Sequence, residues 1–199
     1  MLYFNKLRIF CQILFQYYVV GFSIITEDPI NLSSEICFEF FDKIVSIEML
    51  EAVGHAYFGT FFGQLDRLLA PQGIAVIQTI TIPDQRYETY RKTHDWIQKH
   101  IFPGGLLPSL TIILQAMTHH SSLMVDHVEN IGNHYATTLA RWHRRFKANQ
   151  DKVTQLGLDP MFQRKWAYYL GSCEAGFRER VLGNLQLVLT REGNRRLAD

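Results

Sequence analysis

The chain has 199 residues, 47% of them apolar and 20% charged, with a formal net charge of +1. That length and apolar fraction give room for one domain with a real core and exclude a disordered chain. Near-neutral charge gives no global pull toward nucleic acid, so an anionic partner must be met by a local patch.

Residues 9–25, IFCQILFQYYVVGFSII, are apolar and aromatic, with Gln12 and Gln16 interrupting. The run is shorter than a standard membrane span. Lys6 and Arg8 ahead of it imitate a signal peptide, but no clear small-residue cleavage site follows. A buried segment is the expected reading and a membrane anchor its rival. Asp28-Pro29 and residues 31–35 read as a loop. The chain therefore divides into a divergent apolar segment, 1–38, and one domain over 39–199. Cys11, Cys37 and Cys173 are widely spaced and odd in number, which suits a reducing compartment better than a disulfide scaffold.

Lys43–Ile47 reads as a buried strand. It runs into a loop with two carboxylates, Glu48 and Glu51, and then Gly54. Open α/β sheets place their chemistry at such strand ends. A helix is expected over 56–69, with Phe58, Phe61, Phe62, Leu65 and Leu68 at helical spacing. Pro71-Gln72-Gly73 reads as a turn. Residues 74–82 are rich in β-branched side chains and read as a strand that Pro83-Asp84 ends. A single helix over 87–101 is stopped by Pro103-Gly104-Gly105. A short helix over 110–117 and a strand over 122–130 follow. Two helices, 134–148 and 159–177, each carry an aromatic stripe, read as core. Residues 184–190 close as a strand. The order βαβααβααβ implies an α/β sheet with helices on its faces.

Histidines give no metal site. His119 and His120 are adjacent, diverge on a helix, and stand in no zinc-type spacing. Between Arg141 and Lys152 lie Arg141, Arg144, Arg145, Lys147 and Lys152 against one acid, Asp151. The default is a solvated helix face; the functional alternative is a contact for anionic phospholipid head groups.

Five segments carry a resemblance: FDKIVSIEMLEAVG (41–54), IQTITIPDQRYETY (77–90), IFPGGLLPS (101–109), IGNHYATTLARW (131–142) and YYLGSCEAGFRER (168–180). In order and spacing they resemble the C-terminal part of the cyclopropane-fatty-acyl-phospholipid synthases and mycolic acid cyclopropane synthases, which use S-adenosylmethionine. The wording of the first two is similar to a branch that includes fatty-acid C-methyltransferases. The resemblance implies a partial class I methyltransferase fold, a doubly wound α/β sheet lacking its first strands. Lys43–Ile47 and Ile74–Ile82 would be adjacent parallel strands, and the last two strands a hairpin-like pair. The G-x-G-x-G cofactor loop of such enzymes finds no match, since Gly21 stands alone before Gly54.

In this family a methyl group passes from the sulfonium to an alkene carbon of a lipid acyl chain, and the carbocation loses a proton to bound bicarbonate as the ring closes. The resemblance implies that Glu51, Gln78, Ile80 and Tyr135 hold the bicarbonate. Gln78 stands where ring-forming members commonly have histidine. An amide can donate a hydrogen bond there but cannot carry a proton. Cys173 matches a cysteine often marked as catalytic; the alternative is a small buried thiol lining the lipid pocket, with no basic residue placed to make it a thiolate. The implied function is cyclopropanation of unsaturated phospholipid acyl chains, with methyl branching and a non-enzymatic lipid-binding remnant as alternatives. The implied location is cytoplasmic, peripheral at a membrane. With no cofactor loop, the chain alone is expected to be inactive and to bind S-adenosylmethionine without useful affinity, its site completed by a complementing N-terminal half.

Overall fold

Alternation along the strands organises the domain. The computed structural model describes residues 40–196. The readings made on 1–38, including the apolar run, Gly21, Cys11 and Cys37, lie outside the described residues. The strands are β1 (Phe41–Ile47), β2 (Leu69–Thr81), β3 (Met124–Asn130) and β4 (Gly183–Thr190). They form one sheet in the order β1-β2-β4-β3. As expected, β1 and β2 are adjacent and parallel, with Lys43 opposite Ile74 and Ile47 opposite Gln78. β3 and β4 pair antiparallel, joined by a long helical excursion and not by a hairpin turn.

Between β1 and β2 lie α1 (Leu50–Val53), one 3-10 turn (His55–Tyr57) and α2 (Phe58–Leu68). The expected turn at Pro71-Gln72-Gly73 lies inside β2, whose register against β1 jumps from Phe41 opposite Leu69 to Lys43 opposite Ile74. The carbonyls exposed by this irregularity find partners beyond β4. Arg191 Nη1 donates to the Leu69 and Ala70 carbonyls at 3.1 and 2.6 Å, and Asn194 Nδ2 to that of Gly73 at 3.1 Å. Backbone polar groups must be satisfied somewhere, and a well-placed guanidinium lets a turn-like stretch stay in a strand.

The helix expected over 87–101 is two helices, α3 (Asp84–Tyr90) and α4 (Trp96–His100). Asp95 explains the break. Its carboxylate accepts from Gln98 N at 2.7 Å, and Gln98 Oε1 accepts from Asp95 N at 2.8 Å, a capping box that starts a new helix. The remaining helices are α5 (Leu110–His120), α6 (Gly132–Ala148), α7 (Gln150–Gln155) and α8 (Pro160–Arg178). Asp159 caps α8 through Phe162 N at 2.7 Å, with Pro160 in the first turn.

The sheet has two unlike faces. On one, Ile44, Ala75, Ile77, Leu185, Leu187 and Leu189 pack against Phe58, Phe61, Phe62 and Leu65 of α2 and Ile113 and Met117 of α5. On the other, β2 presents Gln78 and β4 presents Gln186 directly opposite it, while Val45 and Ile47 of β1 are 47% and 60% exposed. α6 and α8 pack on each other, burying Leu139, Phe146, Phe162, Trp166, Leu170 and Phe177. The chain entering α6 is tied to β4 by Ile131 N donating to the Asn184 carbonyl at 2.8 Å.

Candidate active site at the ends of β1 and β2

The site is built where β1 stops. Ile44 and Ser46 are buried on the core face. Continued alternation would send residue 48 there too. Instead Glu48 takes φ +50°, a left-handed conformation uncommon for a non-glycine residue. The turn throws its side chain to the Gln78 face, while its N–H still donates to the Gln78 carbonyl at 2.8 Å.

Three neutral donors meet the Glu48 carboxylate. Gln78 Nε2 and Asn184 Nδ2 donate to Oε1, each at 3.2 Å, and the Tyr135 hydroxyl donates to Oε2 at 3.1 Å. Gln78 is oriented from behind, because its carbonyl oxygen accepts from Gln186 Nε2 at 2.9 Å. The β2–β4 register causes this convergence, placing Gln78 opposite Gln186 and Ile80 opposite Asn184. Tyr135 lies on the first turns of α6, with its ring edge-to-face against Phe177 of α8 at 4.9 Å and Trp142 at 5.9 Å. Burial, then the Glu48 charge, holds the Tyr135 hydroxyl far above its ordinary range, so it remains a donor at neutral pH.

Glu51 sits one turn on, in α1. Its carboxylate accepts from Ile80 N at 2.5 Å, and its carbonyl accepts from Leu106 N at 2.8 Å, which anchors the 101–109 loop. Oε2 is buried without a hydrogen-bond partner of good geometry. Burial pushes the acid up from 4.5 to about 7; the Ile80 amide opposes this and the Glu48 charge adds to it. A carboxyl poised near neutrality is suited to exchanging a proton.

Cys173 is buried on α8. Burial and then the Asp95 charge push its thiol up to about 12, and hydrogen bonding with Tyr169 offsets part of this. It is a thiol at neutral pH. Around it, Tyr169 meets Phe102 at 5.6 Å and Trp166 at 5.1 Å, so aromatic faces of α8 and the 101–109 loop line this side.

The structure thus brings Glu51 and Ile80 into direct contact and joins Gln78 to Tyr135 through one group the sequence reading left unassigned. That group is Glu48, noted as one of two carboxylates but given no role. Asn184 and Gln186 were missed as well. The available signal was two polar residues at alternate positions of an apolar strand, matching Gln78 across the sheet. Among the described residues no group of three or more His, Cys, Asp or Glu side chains could hold a metal ion. A cavity of about 440 Å³ between α2 and α5, lined by His55, Gly59, His119 and His120, shares none of these site residues.

A family model described as mycolic acid cyclopropane synthetase matches residues 33–187. The chain belongs to that family. Among curated relatives, it is 43% identical over 153 residues to the tuberculostearic acid methyltransferase UfaA1 of Mycobacterium tuberculosis, covering 77% of this chain and 36% of the relative. It is 36% identical over 151 residues to the cyclopropane-fatty-acyl-phospholipid synthase of Escherichia coli, covering 76% and 38%. The chain therefore spans less than two fifths of the length of these relatives. Its fold matches the mycolic acid cyclopropane synthase CmaA1, solved in complex with SAH and CTAB, with a TM-score of 0.69 at 28% identity, covering 77% of this chain and 56% of that one. The expected class I methyltransferase fold is borne out, with helices about a four-stranded α/β sheet.

Proposed function

We propose that this chain forms the lipid-facing half of a methyltransferase that alkylates an alkene carbon of an unsaturated phospholipid acyl chain. The observation that carries the reading is the convergence of Glu51, Gln78, Ile80 and Tyr135 at the C-terminal ends of two parallel strands, beside an aromatic wall. S-adenosylmethionine, when bound, supplies the methyl group. The fit to that cofactor is partial. The Ser46–Glu51 loop lies where open α/β sheets bind nucleotides, and it would supply only part of the contacts to the cofactor. The chain's own residues have three tasks. Tyr135, Phe177, Tyr169 and Phe102 supply ring faces, which favour a cation in an apolar pocket. The same rings exclude water that would capture a carbocation. In this reading the carboxylates at the strand ends take up the departing proton.

Cys173 lines the pocket and does not act as a nucleophile in this reading, because a thiol held near 12 has almost no thiolate at neutral pH. Of the two product classes, a ring and a branch, the branch is favoured by Gln78, whose amide cannot take up or relay a proton as histidine can, and by the likeness to a tuberculostearic acid methyltransferase. The exposed Arg141, Arg144, Arg145, Lys147 and Lys152 would approach anionic head groups from the cytoplasmic side. Among the described residues no helix is long and apolar enough to cross a membrane.

Mass spectrometry of lipids from cells expressing this chain together with a complementing, glycine-loop-bearing N-terminal half tests this. Acyl chains heavier by one methylene are expected, with proton NMR separating ring from branch. Unchanged acyl chains, with folded protein verified, would sink the reading. The alternative is a non-enzymatic lipid-binding role. In calorimetric titration with S-adenosylhomocysteine, micromolar binding by the 199-residue chain would exclude a remnant and overturn the expectation that the chain alone lacks useful cofactor affinity.

A further inference from the structure

We propose that the Glu48 carboxylate permanently occupies the position that the resemblance assigns to bound bicarbonate, so that this chain carries its proton acceptor as a side chain. The inference rests on the methyl-transfer reading and deepens it. Two of the groups expected to hold bicarbonate, Gln78 and Tyr135, instead donate to the two oxygens of Glu48. Carboxylate and bicarbonate share the recognised feature, a planar pair of oxygens carrying one negative charge, and the same donors serve either.

Three further observations make the occupant fixed. Asn184 adds a third donor to Oε1. Gln186 engages the Gln78 carbonyl, so the amide offers its NH2 group and not its oxygen to the site. The backbone at Glu48 is left-handed at φ +50°, a conformation that persists only where the surroundings impose it. The three side-chain donors on Glu48 are all neutral, so a second anion beside it, with Glu51 close by, would meet like charge without a compensating cation.

The chemistry balances without an added reactant. After methyl transfer leaves a carbocation, one C–H bond of the former methyl group breaks and its proton passes to a Glu48 oxygen. The electron pair of that bond fills the cationic carbon, closing a ring or, after a 1,2-hydride shift, forming a double bond at the branch.

The test uses 13C-labelled bicarbonate with the 199-residue chain, observed by 13C NMR line broadening, and needs neither cofactor nor lipid. The wild-type chain is expected to leave the bicarbonate line unchanged. Glu48→Gly, which empties the cradle and suits the left-handed backbone, is expected to broaden it at least tenfold more. Glu48→Gln keeps the position filled and is expected to match wild type. Thermal unfolding confirms that each variant is folded; if Glu48→Gly is not, Glu48→Asn replaces it, since asparagine tolerates the same backbone. Bicarbonate binding by the wild type that is unaltered in Glu48→Gly overturns the proposal. So does a folded, cradle-emptied variant that binds none. Either failure leaves the methyl-transfer reading standing, because acyl-chain mass decides that separately.

Discussion

The two faces of the sheet are made by the same strands and do opposite things. On the core face, Ala75, Ile77, Leu187 and Leu189 are 0–1% exposed and meet only apolar neighbours from α2 and α5. One residue away, Gln78 and Gln186 face the other side, where Gln186 donates to Gln78 and Gln78 donates to Glu48. A strand side chain alternates strictly, so a single residue of register decides whether a position is core or site. The contrast teaches that the site's precision depends on the core face, because the apolar face fixes the register that aligns Gln78 with Gln186 and Ile80 with Asn184.

Breaking the core face should give the largest effect. Phe62 is fully buried among α2, α5 and the sheet. Phe62→Ala is expected to cost about 4 kcal/mol in urea unfolding, through lost burial and the cavity left behind. A change below about 1 kcal/mol would mean that the face is not the packed core described.

Next comes the Glu51 acid, tested by pH. Its folded value of about 7 lies above the ordinary 4.5, so the folded protein holds the proton more tightly than the unfolded chain. Below about pH 4.5 both states are protonated and there is no penalty. As pH rises from there through about 7, stability falls, by up to about 3 kcal/mol at 1.36 kcal/mol per unit. Glu51→Gln should remove this component. Urea midpoints measured across that window check it; an equal slope in wild type and variant would refute the assignment.

A smaller loss is expected from the seam between the ends of β4 and β2. Arg191 donates to both Asp66 and the Leu69 and Ala70 carbonyls. Arg191→Ala should destabilise by about 2 kcal/mol by leaving these partly buried acceptors without their charged donor. Arg191→Lys should recover little, since an ammonium cannot reproduce the fork. The smallest effect belongs to the site face. Gln186→Leu removes one neutral hydrogen bond and should cost about 1 kcal/mol in thermal unfolding, while freeing the Gln78 amide to rotate. A sharper change in the Gln78 side-chain NMR signals than in stability would separate orientation from packing.

Much of the fold was legible. The β-branched run of β2 and the apolar strand before Glu48 announced themselves, and the resemblance supplied their parallel pairing. The aromatic stripes of α6 and α8 read as core, and Phe146, Phe162, Trp166 and Phe177 are buried. What escaped was set by distant partners. The Pro71-Gln72-Gly73 stretch reads as a turn until Arg191 and Asn194, more than a hundred residues later, accommodate its carbonyls. The α3–α4 break rests on a local signal, Asp95 with Gln98, that helical periodicity alone overrides. In the site, Glu51, Gln78, Ile80 and Tyr135 came from the resemblance. The hub, Glu48, could not be singled out because nothing local says that its backbone turns left-handed. Asn184 and Gln186 acquire meaning only once β4 lies beside β2.

The position of β4 also has a consequence for how the molecule is made. Of the four described strands it comes last in the chain, yet it lies in the interior of the sheet, between β2 and β3. Until it is synthesised and inserts, β2 has an open edge and β3 has no partner on the described sheet. Asn184 reaches Glu48 across a separation of 136 residues. Contacts that distant close slowly, because loop entropy is lost before the contact is gained. Nascent chains that have not yet released this strand are therefore the aggregation-prone species. The polar cluster around Glu48 is complete only when the final strand is home.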